Sequence, residues 1–230
     1  MNHFLAQEIR EKEGSLPEKE ARHAAQVLRL APGALISVSD GLGKVWQAEL
    51  LNQNSKKWPF RLLKEIRREK PATLSLVIAP PKSADRFEFA LEKCVELGVR
   101  EIIPVIAQHS ERRRYKVERG QRVMEAAFKQ SKKGYLPLLQ ELKPLKAVLQ
   151  AGFAGKRYIA HLEKGNKTAL HELPADEALQ VFIGPEGDFS KKEIELAEDQ
   201  GCSGLELGAE VLRTETAAIY AAAALALLRR

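Results

Sequence analysis

The spacing of apolar residues changes character near Lys70-Pro71. Before that point they fall in short runs, Leu35–Ser39, Val45–Leu50 and Phe60–Ile66, parted by turn signals at Asp40-Gly-Leu-Gly43 and Asn52-Gln-Asn-Ser55. One helix, Glu18 to Leu30, is predicted ahead of these runs and stops at Ala31-Pro-Gly33. Short strands with tight turns over residues 1–70 predict a small β-barrel domain.

Beyond Pro71 strands alternate with helices. Thr73–Ala79 and Glu101–Ile106 read as strands, and Pro104 removes one ladder bond from the second. Between them Ser83 to Gly98 is a helix: Phe87, Ala90, Leu91, Cys94 and Val95 recur at helical spacing, and Gly98 supplies the stop. Helices at 119–132 and 145–151, strands at 157–162 and 180–183, a helix at 190–200, a short strand at 204–207 and a helix at 214–228 complete the pattern. The alternation predicts an α/β domain over residues 71–230, a mostly parallel sheet with helices on both faces. Its last helix, Thr214–Leu228, is apolar nearly all round and must be buried on more than one side. A second subunit is the expected cover, and a central position in a monomer is the alternative.

Composition narrows the function classes. With 230 residues, 44% hydrophobic and 30% charged, the chain has ordinary globular content and room for one large or two small domains. A formal charge of +6 points toward a polyanionic partner such as nucleic acid. No run of about 18 apolar residues is present, which argues against a transmembrane helix. The tract Ala217–Leu228 is too short to span a bilayer and runs into Arg229-Arg230. Asn2, His3 and Glu8 break any signal-peptide pattern. Cys94 and Cys202 are the only cysteines and have no Cys/His cluster at ligand spacing, so neither a disulfide framework nor a metal site is expected. Both read as small buried hydrophobes, and the protein reads as cytosolic.

Two segments carry the candidate chemistry: Ile183-Gly-Pro-Glu-Gly-Asp-Phe-Ser190 and Leu207-Gly-Ala-Glu-Val-Leu-Arg-Thr-Glu-Thr-Ala217. Each runs from an apolar stretch through small residues into a helix. The first follows a strand, where open α/β sheets bind ligands, and Ser190 with Glu193 forms a capping box. A plain strand-to-helix turn would use the same glycines and proline. It is neither a phosphate-binding loop ending in Gly-Lys-Ser/Thr nor a Gly-x-Gly-x-x-Gly fingerprint. In the second, Thr214 is a plausible N-cap, and Glu215 and Thr216 suit a first helical turn. Capping does not explain Arg213, because a cation at a helix N-terminus is misplaced by about 0.3–1 kcal/mol. A residue that opposes local preference is a candidate for function.

Together these segments resemble the bacterial 16S ribosomal RNA uridine-N3 methyltransferases (RsmE type), of the trefoil-knotted SPOUT superfamily. The likeness extends to His23–Leu30, Pro81-Lys82, Glu92–Val99 with Glu101–Pro104, and Glu125–Ser131. It implies a PUA-like RNA-binding β-barrel followed by a knotted α/β domain that dimerises, binds S-adenosylmethionine and methylates one uridine of small-subunit ribosomal RNA. It also implies a cofactor pocket of His161, Leu162, Ile183, Gly184, Pro185, Glu186, Gly187, Leu207, Gly208, Leu212, Thr214, Thr216 and Ala217. In that pocket backbone at Leu207, Gly208 and Leu212 would meet adenine, while Glu186 and Thr216 would serve the amino-acid or ribose part. His161 is equally well read as a strand-end histidine with a structural bond. Two positions depart from the family pattern: Asp188 stands where a third glycine is common, and Glu210 where a basic residue is frequent.

Uracil N3 becomes nucleophilic only as its proton leaves, so the enzyme must stabilise an imide anion. Arg213 is the candidate, acting on a uracil carbonyl oxygen. Glu215 is the candidate base, with a helix-start charge as its simpler reading. RNA contact is expected from Arg112, Arg113 and Arg114, and from Arg22, Arg29, Lys82, Arg86 and Lys132; solvated loop charge is the alternative for the arginine run. Two competing functions remain. A non-catalytic RNA-binding assembly factor would have a blocked pocket, against which Gly184, Gly187 and Gly208 argue. A Rossmann-type methyltransferase would need a glycine-rich loop after Ile78, where the chain reads Ala-Pro-Pro-Lys82.

Overall fold

The computed structural model describes residues 1–6, 8–53, 56–70 and 73–228. Pro71 of the expected boundary, the end of the turn at Asn54-Ser55 and the final Arg229-Arg230 lie outside them. Contacts divide the chain into two compact units, Met1–Pro71 with Glu125–Leu136, and Ala72–Met124 with Pro137–Arg230.

The first unit holds β1 (His3–Leu5), β2 (Glu8–Arg10), β3 (Glu13–Leu16), α1 (Glu18–Arg22), β4 (Leu35–Ser39), β5 (Lys44–Leu50) and β6 (Trp58–Arg68). Its six strands follow the order β1-β4-β5-β6-β3-β2, antiparallel except for β1 on β4, and the sheet curls into a half-barrel. Among the described residues β1 and β2 are the edge strands, so the expected barrel takes the form of a half-barrel. Register shifts between Val45 and Trp46 and between Gln47 and Ala48 supply local curvature. Phe4, Leu16, Ile36, Val38, Trp58 and Phe60 fill its core. The helix expected to reach Leu30 is shorter. After α1 the backbone widens into a π-helical turn, His23–Val27, and Leu30 N–H returns to the Ala24 carbonyl at 2.9 Å around Arg29 in the left-handed region. His3 is buried as a neutral ring. Its Nε2 donates to the Lys133 carbonyl at 2.9 Å and its Nδ1 accepts from the Ser37 hydroxyl at 2.9 Å. Burial holds its pKa below the ordinary value.

The second unit contains β7 (Leu74–Ile78), α2 (Ala84–Glu96), β8 (Glu101–Ile106), the start of α3 (Val117–Ser131), β9 (Leu138–Leu139), β10 (Lys143–Pro144) and α4 (Leu145–Gln150). Then come β11 (Lys156–Ala160), β12 (Thr168–Ala169), β13 (Leu179–Ile183), α5 (Lys191–Asp199), β14 (Cys202–Glu206) and α6 (Thr214–Leu228). The sheet order is β10-β8-β7-β13-β11-β14-β12, with β9 also on β8, and every pairing is parallel. Central β7 and β13 are buried along their whole length, as near-continuous apolar runs covered on both faces must be. Pro104 is the last residue of β8 in register with β7, so its missing N–H falls where that ladder ends. α6 packs on α2, β7 and β13 through Ala217, Ala218, Ala221, Ala222 and Leu225. Its other side remains open, with Tyr220 49% and Leu227 66% exposed.

Candidate active site

Strands β11, β13 and β14 end side by side, with Ala160 opposite both Ile183 and Leu205. Beyond their carboxyl ends the chain opens a cavity of about 420 Å³. One wall is His161 and Leu162; a second is Ile183, Gly184, Pro185 and Glu186; a third runs from Leu205 to Thr214 and ends at Ala217. The two small-residue loops singled out in the sequence therefore face one another. Gly187 and Thr216 do not line the cavity.

The Gly184–Ser190 loop is built by close packing and local bonds. A side chain at Gly184 would press on the Phe189 ring at 3.2 Å, and one at Gly187 on His109 at 3.1 Å. Gly187 thus serves contact with the loop after β8, where His109 Nδ1 donates to the carbonyls of Gly187 and Asp188 at 3.0 Å each. The capping box is present: Ser190 donates through N–H and hydroxyl to Glu193 Oε2 at 2.9 Å. Glu193 Oε1 also accepts from Gln108 N–H at 2.8 Å. Asp188 sits in the left-handed region at φ +60°, which explains why glycine suits this position. Its carboxylate accepts from the N–H of Leu162 at 2.8 Å and of Phe189 at 2.7 Å.

Gly208 turns the third wall at φ +129°, a conformation that side chains rarely adopt. Where α6 starts, the Thr214 hydroxyl donates to the Gly184 carbonyl at 2.9 Å and ties the third wall to the second. Exposed Arg213 lines the cavity at that helix N-terminus. Glu215 does not. Its carboxylate lies 3.6 Å from Arg86 Nε of α2, only 10% exposed, because position 215 falls on the buried side of α6. The expected base is therefore turned away from the cavity.

His161 has both ring nitrogens buried without a hydrogen-bond partner among the described residues. Burial, then the Lys167 charge, lowers its pKa, so the ring is neutral near neutral pH. Gly204 makes room for it: a side chain there would come within 3.1 Å of His161 Nε2. The structural bond considered for the imidazole does not form; instead the His161 carbonyl accepts from Lys167 Nζ at 2.8 Å.

A model of the RNA methyltransferase domain matches residues 68–226, and one of the RNA methyltransferase PUA domain matches residues 16–58. The chain belongs to the RNA methyltransferase family. It is similar to the ribosomal RNA small subunit methyltransferase E of Synechocystis, 31% identical over 94% of this chain and 74% of that protein. The protein of that name from Bacillus subtilis is 26% identical over 92% and 88%. Among solved structures, ribosomal RNA small subunit methyltransferase E from Neisseria gonorrhoeae, bound to S-adenosyl methionine, is 30% identical with a TM-score of 0.88, covering 99% of this chain and 98% of that one. A probable rRNA-methyltransferase from Porphyromonas gingivalis is 33% identical with a TM-score of 0.89, covering 100% and 98%.

The cavity is acidic although the chain is basic. Glu186, Asp188, Glu206 and Glu210 line it against Lys167 and Arg213. Glu186 also accepts from the Lys82 N–H at 3.0 Å and holds the loop after β7.

The cations expected to meet RNA have diverse partners. Arg112 donates to the Pro81 carbonyl at 3.0 Å and to the Lys82 carbonyl, so its guanidinium braces a loop. Lys82 pairs with Glu111 at 2.8 Å, Arg86 with Glu215, and Arg22 with Glu18 at 3.1 Å. Arg113, Arg114, Arg29 and Lys132 are exposed. Sequence reasoning overlooked Lys167 and Glu206 in the lining and the bond between Asp188 and the Leu162 N–H. The departure of Asp188 from glycine was the one available signal.

Proposed function

We propose that the chain transfers the methyl group of S-adenosylmethionine to N3 of a uridine in small-subunit ribosomal RNA. The observation that carries this reading is the cavity at the carboxyl ends of β11, β13 and β14, walled by main chain from three loops. Its lining fits the cofactor. Glycine at 208 leaves backbone accessible to a flat base, and the carboxylates of Glu186, Glu206 and Glu210 suit a ligand bearing sulfonium and ammonium charges. His161 adds a neutral imidazole to the lining, its ring nitrogens buried and without a described partner. Bound there, S-adenosylmethionine supplies an electrophilic methyl group.

The remaining chemistry belongs to the chain. Arg213 places a fixed cation where negative charge develops on the uracil as N3 loses its proton, and such preorganised charge is usually the largest single contribution to catalysis. Thr214 holds that helix start against Gly184 and keeps the geometry within reach of in-line attack, about 3–3.5 Å. Glu215, turned toward Arg86, positions α6 rather than moving a proton. Exposed Arg113 and Arg114 supply phosphate contacts that set register without reading sequence.

The exposed side of α6 is the surface for a second copy of the chain. The return of α6 from β14 to the middle of the sheet is consistent with the trefoil knot of the family. Calorimetry tests the reading. S-adenosylmethionine should bind at one site per chain, and absence of heat at several temperatures would contradict it.

A further inference from the structure

Leu162 lies just past the end of β11, where the sheet no longer offers its N–H a partner. Residues 162–166 that follow are exposed, so this wall of the cavity has little packing to hold it. Asp188 Oδ2 accepts the Leu162 N–H at 2.8 Å, across from the neighbouring wall. The rest of Asp188 is held in turn. Its N–H donates to the Pro185 carbonyl at 2.9 Å, its Oδ1 accepts from Phe189 N–H at 2.7 Å, and its carbonyl accepts from His109 Nδ1 at 3.0 Å. Every polar atom of this residue is engaged, and the carboxylate is thereby aimed at Leu162.

The backbone shows what is given up. At φ +60° glycine would sit without the strain that a side chain brings, although aspartate is among the residues that tolerate this region best. Strain retained at the lip of a ligand cavity points to function. Asparagine would tolerate the same backbone but has one acceptor oxygen where two N–H groups converge.

We propose that Asp188 is a positioning residue for cofactor binding, clamping the Leu162 main chain into its binding geometry before the cofactor arrives. This rests on the reading that the cavity takes S-adenosylmethionine. The clamp removes an ordering cost that binding would otherwise carry, so it acts on affinity and not on the transfer step.

The test compares the intact chain with Asp188→Gly and Asp188→Asn. In Asp188→Gly the backbone strain is relieved as the bonds to the Leu162 and Phe189 N–H groups are lost, so the thermal midpoint should change little. The KM for S-adenosylmethionine should rise about tenfold, the scale of one hydrogen bond to a charged acceptor, while kcat at saturating cofactor stays within about twofold. Asp188→Asn should fall between the two. Hydrogen exchange at the Leu162 amide, followed by NMR without ligand, should speed up in Asp188→Gly. An unchanged KM, a loss confined to kcat, or unaltered Leu162 exchange would overturn the proposal. Failure of the functional reading would look different: the wild-type chain itself would bind no S-adenosylmethionine, and the positioning role would fall with it.

Discussion

Arg213 and Glu215 show how position on one helical turn separates neighbouring charges. Two residues apart, they point away from each other, one lining the cavity and one buried toward Arg86. Replacing Arg213 by alanine should lower methyl transfer by about 10²–10³-fold, the usual cost of one preorganised charge. The thermal midpoint should hold or rise slightly, because a cation leaves the positive end of α6. Wild-type turnover in this variant would remove Arg213 from the chemistry. At the residue scale Arg213, which lines the cavity, could be singled out because its charge opposes its local setting. Lys167 and Glu206 could not, since their sequence neighbourhoods carry no such conflict. Neither cysteine offers a thiolate, since burial pushes Cys94 up to about 12 and Cys202 to about 11.

Elements with a strong period were legible. The helix expected over Ser83 to Gly98 is α2, Ala84–Glu96, with Ser83 as its N-cap accepting from Arg86 N–H at 3.5 Å, and α6 spans Thr214–Leu228 as the apolar run required. Strands of three or four residues, β1 to β3, and of two, β9, β10 and β12, are too short for a period to show. The π-helical turn was hidden for another reason: its sequence suits an ordinary helix, and the wider turn is made by backbone. One buried side chain holds several elements that pattern alone could not connect. Arg157 of β11 donates to the carbonyls of Val148 at 3.0 Å and Leu149 at 2.8 Å in α4, to the Gln200 carbonyl after α5 at 3.4 Å, and to Gln180 of β13 at 3.1 Å. It satisfies orphan carbonyls at two helix ends and meets both dipoles with the right sign. Arg157→Met keeps the bulk and strands those acceptors, so urea unfolding should show a loss of about 3 kcal/mol or more. A loss under about 1 kcal/mol would mean that water replaces the guanidinium.

At the scale of the whole molecule, composition pointed to a polyanionic partner, and the cavity's acidic lining was visible only once three distant loops came together. The open side of α6 leads to a prediction about assembly. Sedimentation should find a dimer, and Leu227→Glu should give monomers; a monomeric wild-type chain would leave that face unexplained. Stability should depend on pH through His3 and His161, whose pKa values are both lowered, chiefly by burial. The unfolded chain binds more protons than the folded one below the ordinary value of 6.5. Their contribution is thus complete above that pH and is lost as the pH falls through the depressed folded values. Urea midpoints should decline across that range, and His161→Asn should flatten part of the decline; an unchanged slope would exclude His161. The most direct test of the central claim is transfer of tritium from methyl-labelled S-adenosylmethionine to small-subunit ribosomal RNA, followed by nucleoside analysis. The account predicts label in 3-methyluridine alone, and label in any other nucleoside, or none at all, would contradict it.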